Sequence, residues 1–252
     1  MRSVEEFWDT IEATDPEVWP GSTPWKDEWG SFGTVPDSLG FGSTVERTRI
    51  PDELLPVFWQ AIQRRYGSAW PRFHVGPRDT AGLRSFLARE GYVRESEELM
   101  LVLESSQWHR IPSLSTKSVR PVTSMGDLNE VIHLDHLVFG DPLRDEQDLQ
   151  MELSRLGQTR RLFYVPGTDG VARAAGGWTQ FPGWVLFWGA ETHPDWRHRG
   201  LYHQILRARL EALPTGSDLF IGVSANRETS APILSRYGFQ SVGTREVWRP
   251  PS

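Results

Sequence analysis

The sequence predicts a mixed α/β protein of the α+β type, built as two related domains in tandem. Three observations carry this. Short apolar runs alternate with runs of helical spacing along the whole chain. A polar, proline-containing stretch, Ser105 to Lys117, interrupts them near the middle. Five residues before that stretch, Phe73, Leu87, Arg89, Gly91 and Tyr92, return 147 residues later as Phe220, Leu234, Arg236, Gly238 and Phe239. Each sits at the same place in a strand–helix–strand unit, which favours duplication over coincidence. The boundaries expected from this are an N-terminal domain at 1–108, a linker at 109–117 and a C-terminal domain at 118–252.

The chain opens with a short helix at about 3 to 14, followed by a Pro-, Gly- and Ser-rich segment from 15 to 43 read as irregular and pinned by tryptophans. Ser43 to Ile50 is a strand. Asp52 is placed to cap a helix in which Leu54, Leu55, Phe58 and Ile62 share one face, ending at Gly67. Phe73 to Val75 is a short strand, Thr80 to Glu90 a helix stopped by Gly91, and Leu99 to Leu103 a buried strand. After the polar stretch, Val119 to Val122 is a strand, and Ser124 or Asp127 caps a helix with Leu128, Val131, Leu134 and Val138 inward. An acidic helix runs from Arg144 to Leu156. Leu162 to Val165 and Val171 to Phe181 flank a turn at Pro166–Gly170, as in a hairpin. Trp184 to Ala190 is a continuous apolar strand, Leu201 to Leu213 a helix, Asp218 to Val223 a strand and Thr229 to Arg236 a helix. Phe239 to Trp248 is the last strand or strand pair.

Composition removes several function classes. The chain has 252 residues and no cysteine, which excludes disulfides, thiolate-bound zinc and thiol catalysis. A formal charge of −6 argues against general affinity for nucleic acid or anionic membranes. No apolar run approaches a membrane span, and the acidic N-terminus is unlike a signal peptide, so the cytoplasm is the expected compartment. Trp8, Trp19, Trp25 and Trp29 crowd the opening segment and are read as packing residues.

The segment that carries chemistry runs from Glu191 to Tyr202, between a buried strand and an amphipathic helix. A turn rich in Arg and Gly at such a corner leaves backbone N–H groups without intrahelical partners, at the positive end of the helix dipole. That makes an anion site suited to a pyrophosphate, with Arg197, His198 and Arg199 adding positive charge. The pattern is neither a Walker loop, lacking Gly-Lys-Ser/Thr, nor a Rossmann turn, whose glycine spacing differs.

These residues resemble a family. Pro194-Asp195-Trp196-Arg197-His198-Arg199-Gly200-Leu201 is similar to the signature of the GNAT superfamily of acyl-CoA-dependent N-acyltransferases. Ser224-Ala225-Asn226 and Arg236-Tyr237-Gly238-Phe239 are similar to its second cofactor motif, and the order of elements over about 135 residues agrees. The resemblance implies two GNAT-like domains, each a mixed, mostly antiparallel sheet flanked by helices. It implies acetyl-CoA as cosubstrate and no metal. Ala190, Glu191 and Thr192 would lie along the acyl group and pantetheine. Arg197, His198, Arg199, Gly200, Leu201, Tyr202 and His203 would cradle the pyrophosphate, and Asn226 would meet the pantetheine arm. Three departures stand out. Tyr202 replaces a small residue, Leu234 occupies the place of a frequent general-acid tyrosine, and the spacing from Asn226 to Gly238 is one residue long.

The 147-residue offset puts Glu53 where the C-terminal half has Gly200, within Pro51-Asp52-Glu53-Leu54. An acidic helix start repels phosphate, so the N-terminal half is expected to hold no cofactor. Glu191 is the candidate general base and His193 the second catalytic candidate. His133, Asp135 and His136 share a helix that in this family borders the acceptor site. Histidines three apart without a further ligand read as a solvated face rather than a metal site. Asp141, Asp145, Glu146 and Asp148 are either an attraction for a cationic amine or a solvated helix start. The expected function is transfer of an acetyl group from acetyl-CoA to a primary amine of a small molecule or peptide, by a monomer or homodimer. A non-catalytic acyl-CoA sensor and a structural protein with a residual motif are the alternatives.

Overall fold

The computed structural model describes residues 2–16, 22–36, 43–111, 115–157, 159–214 and 219–251. Trp19, residues 112–114 of the linker and parts of the segment from 15 to 43 lie outside the described residues. The first half contains α1 (Val4–Glu12), β1 (Ser22–Lys26), β2 (Phe32–Pro36), β3 (Thr44–Arg47), α2 (Leu55–Tyr66), β4 (Arg72–Val75), α3 (Leu83–Arg89) and β5 (Val93–Glu104). There follow β6 (Arg120–Pro121), α4 (Met125–Phe139), α5 (Glu146–Arg155), β7 (Arg160–Val165), β8 (Ala174–Phe181) and β9 (Trp184–Thr192). The chain ends with α6 (Leu201–Glu211), β10 (Phe220–Asn226), α7 (Ser230–Arg236) and β11 (Gln240–Arg249).

Packing groups the chain into two compact units. The first is Met1–Ile11, Val102–Val223 and Ile233–Gln240; the second is Glu12–Leu101, Ser224–Pro232 and Ser241–Ser252. In the first unit β6, β7, β8 and β9 form an antiparallel run, and β10 joins β9 in parallel at Phe220↔Trp184 to Val223↔Phe187. Leu128, Val131, Ile132 and Leu134 of α4 pack with Leu149 of α5 on Leu162 and Tyr164 of β7. In the second unit β1, β2 and β3 are antiparallel, β3 and β4 parallel, and β11 lies antiparallel to β4 at Trp248↔Phe73 to Glu246↔Val75. Its core joins Phe58, Trp59 and Ile62 of α2 to Phe73, Leu83, Leu87 and Tyr92.

One succession of elements and pairings therefore occurs twice, with β6, α4 and α5 added ahead of it in the C-terminal half. Three antiparallel strands lead into a parallel pair joined by a crossover helix, then a helix and a last strand. The repeated residues are buried alike: Phe73 and Phe220, Leu87 and Leu234, Tyr92 and Phe239 all lie in cores. Gly91 (φ 87°) and Gly238 (φ 92°) both turn the chain out of the helix through the left-handed region. Both halves carry the mixed, mostly antiparallel architecture that the pattern predicts.

Local signals place the helix starts of the C-terminal half. Ser124 accepts from the Asp127 N–H while Asp127 accepts from the Ser124 N–H, a complete capping box. Asp145 caps α5 through the Asp148 N–H at 2.9 Å. Two sequence expectations fail. The segment read as irregular contains the hairpin β1–β2, held by tertiary contacts: Trp25 Nε1 donates to the Tyr66 hydroxyl at 2.9 Å, and Arg65 stacks on its ring. Asp52 does not cap its helix; its Oδ1 accepts from the Gly82 N–H at 2.8 Å, and a 3-10 turn over Asp52–Leu54 precedes α2.

Candidate active site

The candidate site lies in the first unit, around the end of β9. Its ladder to β10 stops at Phe187, so Trp188 to Thr192 has no ladder partner on that side among the described residues. On the other side the register to β8 slips. Glu191 opposes Ala175 while Trp188 opposes Gly177, leaving Gly189 and Ala190 against the single residue Gly176. This is a β-bulge, with Gly189 at φ 56°. A Cβ on Gly176 would sit 2.9 Å from Ile205 Cγ2 and 3.4 Å from Arg209 Cζ, so its bare backbone makes room for both α6 side chains.

Past β9, His193 Nδ1 accepts from the Asp195 N–H at 3.2 Å and starts a 3-10 turn over Pro194–Trp196. His193 thus organises the turn. Trp196 lies between two guanidinium groups, Arg173 at 4.8 Å and Arg199 at 4.6 Å from its ring centre. Arg197 Nε donates to Thr192 O at 3.4 Å. His198 then takes φ 62°, a left-handed backbone that costs a non-glycine residue about 1–2 kcal/mol, and Gly200 follows at φ 77°. Residues 197–200 are exposed, and no side chain caps α6. Its first N–H groups therefore point outward from the positive end of the helix, ringed by Arg197, His198 and Arg199.

The predicted residues after Gly200 divide by direction. Leu201 is buried. Tyr202 turns its ring inward, where its hydroxyl hydrogen-bonds Arg209 two turns along the same helix face. The bulk that departs from the family pattern is thereby directed away from the exposed turn. His203 meets Tyr237 edge-on at 5.6 Å, and burial lowers its pKa. Asn226 lies in the second unit, where its Oδ1 accepts from the Glu228 and Thr229 N–H groups at 2.9 and 3.0 Å. Leu234 is a core residue at 1% exposure.

Glu191 is 4% exposed, and its carboxyl hydrogen-bonds that of Asp135 on α4. Burial first, then the Asp135 charge, holds the Glu191 pKa well above the usual carboxylate range; Arg209 opposes this. Burial raises Asp135 to about 6. Glu191 Oε2 and Thr192 Oγ1 are shielded from solvent and have no hydrogen-bond partner among the described residues. Beside them Arg160 binds Glu152 at 2.7 Å and donates to Thr179 Oγ1 at 3.4 Å, and its guanidinium stacks 4.0 Å from the Trp188 ring centre.

Two participants escaped sequence reasoning. Asp135 is half-buried on the face of α4 that carries Leu128 and Val131, not on a solvated face. Arg209, 1% exposed on α6, donates to Gly177 O at 3.4 Å and stacks on Phe187. A charged residue inside an apolar stripe of helical period is the signal that marks both. His133 and His136 bond locally, to Asn129 O and Asp141 O, each at 2.7 Å.

Comparison with solved structures identifies the architecture. A GCN5-related N-acetyltransferase from Kribbella flavida superposes with a TM-score of 0.66 over 99% of this chain and 94% of its own, at 16% identity. A tandem GNAT protein from the clavulanic acid biosynthesis pathway matches with a TM-score of 0.56 over 97% and 93%, also at 16% identity. A GCN5-related N-acetyltransferase from Sphaerobacter thermophilus gives 0.56 over 99% and 87%, at 14% identity. No protein-family model matches the sequence, and a search of curated proteins finds no match. The chain has the fold of the GCN5-related N-acetyltransferases, in tandem form.

Proposed function

We propose that this protein transfers an acetyl group from acetyl-CoA to a primary amine by direct attack, and that the first unit carries the reaction. The observation that carries the reading is a buried carboxyl, Glu191, near the end of a strand that leads into an exposed, uncapped helix start. The outward N–H groups of Gly200 to His203, with Arg197, His198 and Arg199, fit a pyrophosphate. The unpaired edge of Trp188 to Thr192 fits an extended pantetheine arm, whose amides need main-chain partners. Acetyl-CoA, when bound, supplies the thioester carbonyl that the amine attacks and the thiolate that departs. Nitrogen must lose two protons to become an amide. The carboxyl pair of Glu191 and Asp135 is the acceptor of the first, since a buried pair that shares one proton can take up a second. The second reaches the thiolate through water, because Leu234 offers no hydroxyl. The N-terminal half, 1–108, is proposed to be a degenerate repeat without a cofactor: Asp52 and Glu53 begin its crossover helix where the other half has arginines.

Binding raises the melting temperature by mass action, so acetyl-CoA at millimolar concentration is expected to stabilise the protein by several degrees. Gly200→Glu should abolish that shift, and Glu53→Gln should leave it unchanged. No shift with acetyl-CoA or longer acyl-CoAs would overturn the reading. Release of free thiol in the presence of an amine panel separates the enzyme from a non-catalytic acyl-CoA sensor, which the buried Leu234 would suit.

A further inference from the structure

The meeting of Asp135 with Glu191 has a chemical meaning beyond a single buried base. Two carboxyl groups in hydrogen-bond contact hold one proton between them, so the pair carries one negative charge. Glu191, the deeper partner, lies under the bulge, its Oε2 3.7 Å from where a Gly189 Cβ would stand. Asp135 is the more exposed of the two, on the outer side of the pair. A carboxylate oxygen shut away from water without a donor is costly, and a cationic N–H donor relieves that cost best.

Two guanidinium groups offset part of that negative charge, and each is shared with other groups. From the α4–α5 connection Asp141 adds a carboxylate and Arg144 a guanidinium that leans to Glu152 at 3.9 Å. Glu152 on α5 is held by Arg160 of β7. Arg209 of α6 approaches Glu191 from the far side of the sheet and is shared with Tyr202 and Gly177 O. One turn after Asp135, on the same helix face, Phe139 is 57% exposed, and Leu143 beyond it is 54% exposed. An acidic pair with an exposed phenylalanine one helical turn away fits a singly charged amine with an apolar flank.

We propose that Asp135 is the carboxyl that meets the acceptor's ammonium group, that Glu191 behind it completes a proton-sharing dyad, and that the acceptor is a primary monoamine with an apolar flank resting on Phe139 and Leu143. The inference rests on the acetyltransferase reading for its chemistry. The ionised Asp135 oxygen takes one proton from the ammonium, which leaves a neutral amine with its lone pair free. The dyad then holds two protons and is uncharged, and it returns one to solvent after the product leaves.

The test uses phenethylamine and its neutral counterpart phenethyl alcohol as probes, on the full chain with and without CoA, with binding followed by NMR. The amine should bind the wild type at least tenfold more tightly than the alcohol, and Asp135→Asn should erase the preference. Equal binding of the two probes to the wild type, or an unchanged preference in D135N, would overturn the proposal. Carbon-13 titration of Asp135 gives a second readout. Glu191→Gln should return Asp135 towards the ordinary aspartate range, whereas a merely structural or solvent-facing acid would not move. If D135N does not fold, the wild-type probe comparison and the E191Q titration still decide. Phe139→Ser should weaken phenethylamine more than methylamine; equal weakening refutes the apolar flank. The acetyl-CoA shift is recorded in the same samples. Its absence sinks the acetyltransferase reading, while loss of the amine preference alone sinks only the dyad.

Discussion

The two halves repeat one frame and treat a glutamate at or beside a bulge in opposite ways. In the second unit the β2–β3 register slips between Phe32 and Gly33, leaving Glu46 as the extra residue of β3. Arg245 of β11 pairs with Glu46, so the bulge carboxylate is neutralised. In the first unit the slip at Gly176 brings Glu191 to a second acid, and one of its oxygens has no donor among the described residues. The crossover helices differ in the same sense. α2 is preceded by Asp52 and Glu53, with Asp52 bonded to Gly82, whereas α6 is preceded by an exposed turn of two arginines and a histidine. The duplicated frame sets backbone geometry in both places. The proposed function uses the half in which the carboxyl beside the bulge lacks a cationic partner of its own strand pair and the helix start is left bare.

The largest expected effect breaks this contrast outright. Glu191→Gln should lower kcat/KM by about 10²–10⁴-fold, the usual share of a general base, with little loss of melting temperature. Glu46→Gln should do the reverse, lowering melting temperature and leaving kcat/KM unchanged. Equal effects of the two on activity would erase the distinction. The shared frame is tested next. Leu87→Ala and Leu234→Ala each remove a buried leucine at equivalent positions, and each should cost about 2–5 kcal/mol in denaturant unfolding. A negligible loss at Leu234 would speak against a packing role and for a vestigial catalytic position.

A smaller effect is expected at the exposed turn. Space around Gly200 is open, so Gly200→Ala costs only the left-handed backbone, about 1–2 kcal/mol, and should shift the acetyl-CoA titration by no more than about tenfold. The subtlest effect is on pH dependence. Asp135 rises from an ordinary 3.8 to about 6 and burial also raises Glu191 well above its ordinary value, so the folded state binds more protons than the unfolded chain in that window. The dyad is therefore most favourable below about pH 4, and stability falls as pH climbs through 6 and beyond. Glu191→Gln and Asp135→Asn should each flatten that slope in thermal melts, while Glu46→Gln should not.

Much of the frame was legible because its signals are local. Ser124 with Asp127 and Asp145 with Asp148 announce helix starts within four residues, and the Trp196–Gly200 turn carries its own arginines and glycine. The hairpin at Ser22–Lys26 and Phe32–Pro36 was not legible, because its Pro and Gly content reads as irregular while its support comes from Tyr66 and Arg65. Asp52 was misread for the same reason: its partner, the Gly82 N–H, is 30 residues away. The destination of β11 was equally hidden. It closes the second repeat in sequence but pairs with β4 of the first.

Order along the chain was enough to establish the kinds of elements, their duplication, and an arginine-rich turn before a helix at residues 197–203, since each of these is encoded by neighbours within a turn or two. The meeting of Asp135, Glu191 and Arg209 was settled elsewhere. A one-residue slip between β8 and β9 aims Glu191 at α4, and the missing side chain of Gly176 lets Arg209 approach from α6. Burial then converts three scattered charges into one coupled group, because a charge withdrawn from water answers to whatever lies beside it in space.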